Sequence, residues 1–157
     1  MTNQEIIEIF KTIGTWLTAL FAAWIAYKQF VVNKQKISLD LYERRLKIYA
    51  EVKDVLVIIN DSGSIEHVKL SRFRNATAEA DFLFGFDISG YLDEISKKAL
   101  RLIYLNKQLK AVYEPKPSGY DHNMLTNDIR EHSEWFASQF SVAKDKFKKY
   151  LSFHDLY

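Results

Sequence analysis

Cysteine is absent from the 157 residues, which excludes disulfides, thiol nucleophiles and cysteine metal sites. Proline occurs twice and glycine five times, so the chain has few places where a helix must break. No segment alternates apolar and polar residues over the length of a strand. A net charge of only +2, with 27% charged residues, excludes a strongly basic nucleic-acid binder, and no nucleic-acid partner is expected. Neither a Walker sequence nor a glycine-rich dinucleotide loop is present, and Ser62-Gly63-Ser64 lacks the flanks of a nucleophile elbow. Of the four histidines, His67, His122, His132 and His154, His132 follows Glu131 and His122 follows Asp121, but neither of these pairs has the i, i+3 or i, i+4 spacing of a helical metal site. The expectation is therefore a non-enzyme with no catalytic residue, metal or cofactor.

Charge is also missing locally, from Thr12 to Tyr27, and Lys28 is then the single charge before Lys34. As a helix this run extends roughly 24 Å, against about 30 Å for the apolar core of a bilayer. Lys11 and Lys28 would have to snorkel outward for it to span. The apolar residues surround the helix, and Trp16, Trp24 and Tyr27 suit an aromatic belt. We expect a single transmembrane helix here, which divides the chain into a tail and span over 1–33 and a second domain over 34–157. The basic flank after the run, from Lys28 to Lys47, places the N-terminus outside and the bulk of the chain in the cytoplasm of a bacterial inner membrane.

Within the run, Gly14, Thr18, Ala22 and Ala26 recur at every fourth position and make a ridge of small residues. Such ridges let helices approach closely, so a homo-oligomer is expected, packed through these four.

The remainder reads as helices. Residues 37–59 carry two apolar stripes, one containing Ile37, Leu41, Ile48, Val52, Val55 and Ile59, the other Leu39, Tyr42, Leu46, Tyr49 and Leu56. Asn60 to Ser64 is a turn. A second helix is expected over 65–84, with Ile65, Val68, Phe73, Ala76, Ala80 and Leu83 inward. A third follows over 88–113, facing inward through Ile88, Leu92, Ile95, Ala99, Leu102 and Leu109. Glu114 to Tyr120 holds both prolines and forms the longest loop. A fourth helix covers 123–151, its core stripe running from Leu125 and Ile129 through Phe136, Phe140 and Ala143 to Phe147 and Leu151. The fold class expected is all-α, a single N-terminal transmembrane helix followed by an antiparallel cytoplasmic helical bundle.

Two basic groups are candidate binding sites. Lys69, Arg72 and Arg74, beside Phe73, could contact an anion or nucleotide. Lys28, Lys144, Lys146, Lys148 and Lys149 could contact lipid headgroups, each lysine near an anionic leaflet being worth about 1 kcal/mol. Up-down topology would bring the corner at Phe82 to Phe86 and the C-terminal lysines to the same, membrane-proximal end.

Three segments together carry a resemblance: Leu39-Asp-Leu-Tyr-Glu-Arg-Arg-Leu-Lys-Ile-Tyr49 after the apolar run, Phe82-Leu-Phe-Gly85, and Phe147-Lys-Lys-Tyr-Leu151. The chain resembles a group of small bacterial membrane proteins with one N-terminal span and a helical cytoplasmic domain. That resemblance implies an architecture and brings no activity, ligand or catalytic residue. The functional expectation is a self-associating interaction or sensing module in contact with membrane lipids, with a protein partner at its bundle. A membrane-disrupting or channel-forming effector, as in antiviral defence, is the alternative.

Overall fold

The computed structural model describes residues 3–111 and 122–152, without the side chains of residues 5–7, 9, 10 and 111. The loop expected at Glu114 to Tyr120 and His154 lie outside the described residues. The fold is all-helical, with no strand among the described residues. Its elements are α1 (Asn3–Ser62), α2 (His67–Ala76), α3 (Ala80–Leu83), α4 (Phe86–Ala111) and α5 (His122–Leu151). The chain divides into two compact units, one ending at Asp40 and the other beginning at Leu41.

In the first unit the expected transmembrane helix is not found: no helix among the described residues is long and apolar enough to cross a membrane. The physical reason is that the uncharged run is bounded by Lys11 and Lys28, and its roughly 24 Å falls short of the bilayer core. The single-pass inner-membrane localisation, with the N-terminus outside, rested on that span and is corrected with it.

The second unit is built on one apolar core. From α1 it takes Ile48, Val52, Val55, Leu56 and Ile59, all at most 4% exposed. From α4 come Ile88, Tyr91, Leu92, Ile95, Ala99 and Leu102, and from α5 Phe136, Ala143 and Phe147. The spacings are those of a 3.6-residue helix, which brings i, i+3, i+4 and i+7 onto one face. Ile37, Leu39 and Leu46 of the two expected stripes are exposed instead.

Gly63 ends α1. Its φ of +67° lies in the left-handed region that favours glycine, and its N–H donates back to the Ile59 carbonyl at 2.8 Å. The second helix differs from expectation, because residues 77–79 form a turn between α2 and α3. Thr77 causes the break locally. Its hydroxyl donates to the Phe73 carbonyl at 2.8 Å, and its N–H donates to the same oxygen at 2.9 Å, closing off the last turn of α2. Of the residues expected inward, Ile65, Phe73 and Ala80 are buried, whereas Val68 is 77% exposed and Leu70 is buried instead.

Candidate functional site

Apolar surface is concentrated in the first unit. From Lys11 to Asp40 every side chain is exposed except the half-buried Val31 and Ser38. Trp16, Leu17, Leu20, Phe21, Trp24, Tyr27 and Phe30 are each more than half exposed. At about 100° per residue these seven occupy one wide sector of the helix, and Gly14, Thr18, Ala22 and Ala26 lie largely on the other side. A Cβ added at Gly14 would meet nothing within 4 Å. Within the large sector the Phe21 and Trp24 rings stack with centroids 6.0 Å apart, and Lys28 Nζ sits 5.9 Å from the Trp24 ring. The threonines are already satisfied: Thr12, Thr15 and Thr18 donate to the carbonyls of Glu8, Lys11 and Thr15 at 2.8, 2.9 and 2.8 Å. Covering them would leave no hydroxyl donor orphaned.

In the second unit, the expected anion site at Lys69, Arg72 and Arg74 is not assembled. All three are exposed on α2, but Lys69 lines one cleft and Arg74 lines another, of about 150 Å³, beside Asp81 and Asp93. Arg72 lines neither.

The four C-terminal lysines expected at lipid headgroups all lie on α5, spread around its circumference. Lys149 Nζ is 2.9 Å from Asp87 Oδ2 and 4.7 Å from the Tyr150 ring, and Lys146 Nζ lies 5.3 Å from the Tyr91 ring. Lys144 and Lys148 are exposed on α5, and Lys28 belongs to the first unit.

The corner before α4 and the end of α5 do meet, and through contacts that apolar periodicity does not reveal. Arg45 reaches from α1 with Nε donating to the Leu83 carbonyl at 2.9 Å and Nη1 donating to the Tyr150 carbonyl at 3.4 Å. Its guanidinium also lies 5.8 Å from the Phe84 ring and 5.5 Å from the Tyr150 ring. Tyr150 accepts from the Gly85 N–H at 3.1 Å and donates to Asp87 Oδ1 at 2.8 Å. Lys149 and Tyr150 together hold the Asp87 carboxyl below its usual range, and Asp87 in turn raises Lys149. Asp87 sits in the first turn of α4, where negative charge is favourable. Phe84 is buried inside this corner, whereas Phe82 and Phe86 on either side are 90% and 97% exposed.

Among the described residues the histidines lie apart from one another. His132 Nδ1 lies 2.9 Å from the Asp128 carbonyl, one turn back on its own helix, while His67 and His122 are exposed. No cluster of three His, Cys, Asp or Glu able to hold a metal occurs among the described residues. Burial raises the Tyr91 hydroxyl well above its ordinary range, with a further push from Glu94, and the hydroxyl donates to the Gln139 carbonyl at 3.4 Å. That is a core hydrogen bond between α4 and α5. No protein-family model, curated protein or solved structure matches the chain.

Proposed function

We propose that the protein is a non-enzymatic interaction module that self-associates through residues 13–32, its second unit forming an antiparallel helical bundle that engages a protein partner. The observation that carries this reading is the sector of seven large apolar side chains, each more than half exposed on one helix. Isolated apolar residues are ordinary on a protein surface, but a continuous patch of this kind marks an interaction site. Covering the seven is worth on the order of 10 kcal/mol per chain, comparable with an association cost of roughly 4–15 kcal/mol.

A second copy of the chain suits this helix. The ridge at Gly14, Thr18, Ala22 and Ala26 permits close backbone approach, and the large sector provides area for a further neighbour. A helix apolar over so much of its circumference needs more than one flat contact to cover it. An assembly of several copies supplies such contacts. A membrane-disrupting or channel-forming role would need a span, and no helix among the described residues is long and apolar enough to provide one.

Sedimentation velocity across a hundredfold range of protein concentration tests the reading. The full chain is expected to run larger than a monomer at micromolar concentration. Leu20→Glu and Ala22→Leu should each weaken association at least tenfold while leaving the second unit folded. A monomer at every concentration would refute the proposal.

A further inference from the structure

A groove lies along one face of α4 in the second unit. Its wider part is a cleft of about 760 Å³ bounded by the end of α1, the start of α2 and the second half of α4. A neighbouring hollow of about 520 Å³ shares His67, Ile103 and Lys107 with it and extends back along α4 to Lys97. Both volumes fall in the range of about 300–1,000 Å³ in which small molecules bind. The floor is apolar: Val57, Ile58, Ile65 and Ile103 in the cleft, Leu100 and Tyr104 in the hollow. Leu100 and Tyr104 are 46% and 52% exposed, although both face a concave surface. Asn106 fixes one wall, its Nδ2 donating to the Gly63 carbonyl at 3.1 Å and the Leu102 carbonyl at 3.0 Å.

Charge divides the groove. α4 contributes only cations to it, namely Lys97, Arg101, Lys107 and Lys110. Lys97 and Arg101 are matched, to Asp93 at 3.8 Å and Asp128 at 3.4 Å. Lys107, Lys110 and Lys69 across the cleft form no ion pair among the described residues. Asp61 and Glu66 line the same cleft from the end of α1 and the start of α2, and His67 adds a titratable ring. The cleft thus combines three unmatched ammonium groups with two carboxylates, and the hollow beyond it is apolar between matched cations. From Lys110 back to Leu100 is about 15 Å along the helix, long enough for a medium acyl chain.

We propose that this groove binds a single-chain anionic amphiphile, its carboxylate or phosphate held by Lys69, Lys107 and Lys110 and its apolar chain laid over Ile103 toward Leu100 and Tyr104. Ammonium groups bind such a head as point charges, and the apolar floor takes the chain out of water. Selectivity for an anionic head over a neutral one is the signature of the site, because the floor alone would accept either.

The test uses the full chain with isoleucine methyls labelled for NMR, titrated with decanoate, decyl phosphate and decanol below their aggregation limits. Ile58, Ile65 and Ile103 report the groove, and Ile13, Ile25 and Ile37 report the exposed N-terminal helix. Either anion is expected to shift the groove methyls with at least tenfold tighter binding than decanol. Tighter decanoate binding assigns a free fatty acid, and tighter decyl phosphate binding assigns a lipid phosphate. Lys107→Glu with Lys110→Glu should weaken the anion at least tenfold, whereas Lys144→Glu with Lys148→Glu should not. The milder pair Lys107→Gln with Lys110→Gln gives the same reading if charge reversal perturbs α4. Equal binding of decanol, shifts confined to the N-terminal methyls, or undiminished binding by the Lys107 and Lys110 variants would overturn the proposal.

Discussion

Arg45 Nε donates to the Leu83 carbonyl at 2.9 Å, joining the side chain of one helix to the backbone of a corner 38 residues later. The half-buried guanidinium has aromatic rings, Phe84 and Tyr150, beside it. Its value lies in geometry: a planar fork addresses two carbonyls and packs near two rings, which a lysine ammonium cannot reproduce. Arg45→Ala is expected to destabilise the fold by about 1–3 kcal/mol, since the Leu83 carbonyl loses its donor and the rings lose a neighbour. Arg45→Lys should recover less than half of that loss. Urea unfolding of the three proteins side by side checks both statements.

The backbone passes close to Tyr150 at Gly85. A Cβ there would stand 2.7 Å from the Tyr150 hydroxyl and 2.9 Å from Asp87 Oδ1. Gly85→Ala must therefore displace Tyr150 from Asp87, at an expected cost of about 1–3 kcal/mol. Tyr150→Phe removes the hydroxyl and with it one of the two obstructions. The double variant should consequently lose less than the sum of the singles, which a thermal-unfolding cycle would show. Strict additivity would contradict this geometry.

The Asp87–Lys149 pair gives the corner a pH dependence of known sign. Asp87 is lowered by Lys149 and Tyr150, so its contribution is complete above the ordinary carboxylate value of about 3.9. It is lost as pH falls through the lowered folded value. Lys149 is raised, so its contribution is complete below about 10.4 and disappears as pH rises through the raised folded value. Both groups are solvent-exposed and the effect is small. The difference in Tm between the natural protein and Asp87→Asn should be constant near neutrality and shrink toward both extremes. A difference that grows toward acid would show the pair to be mis-assigned.

Phe136 is fully buried in α5 with its ring edge-on to Trp135 at 4.9 Å. Replacing it with alanine removes a large side chain from a close-packed core. The expected loss is about 3–5 kcal/mol, which would unfold a domain of ordinary stability or bring it near its midpoint at room temperature. Phe140→Ala, at a half-buried position one turn on, should cost clearly less. Chemical denaturation of the pair provides the comparison.

How far the sequence foretold this structure varies element by element. In α4, Ile88, Leu92, Ile95, Ala99 and Leu102 were legible because an unbroken helix keeps its period, and each is buried. In α5, Leu125, Phe136, Ala143 and Phe147 follow the same logic. Between them, the spacing from Ile65 points Val68 inward, yet it is exposed, because Ile65 and the extended Glu66 precede a helix that begins only at His67. The rest of that stripe holds, with Ile65, Phe73 and Ala80 buried and Ala76 and Leu83 half-buried. The Arg45, Asp87 and Tyr150 contacts depend on the shape of the resulting corner, so they could not be read in advance. The groove is not among the sites the sequence pointed to. Lys97, Leu100, Arg101, Tyr104 and Lys107 repeat at helical spacing, but the wall opposite, at Asp61 to Lys69, comes from tertiary packing.

The uncovered helix of the first unit has a thermodynamic consequence. Its side chains from Lys11 to Asp40 contribute little burial, so its local opening free energy belongs at the low end for a protein. Association as proposed adds a term that grows with the logarithm of concentration. Order in this segment then becomes a property of the population rather than of the single chain. Dilution alone should loosen amide protection over residues 11–40 while leaving that of Ile48 to Ile59 unchanged. Under the proposed association, the protection of this one helix would report how abundant the chain is.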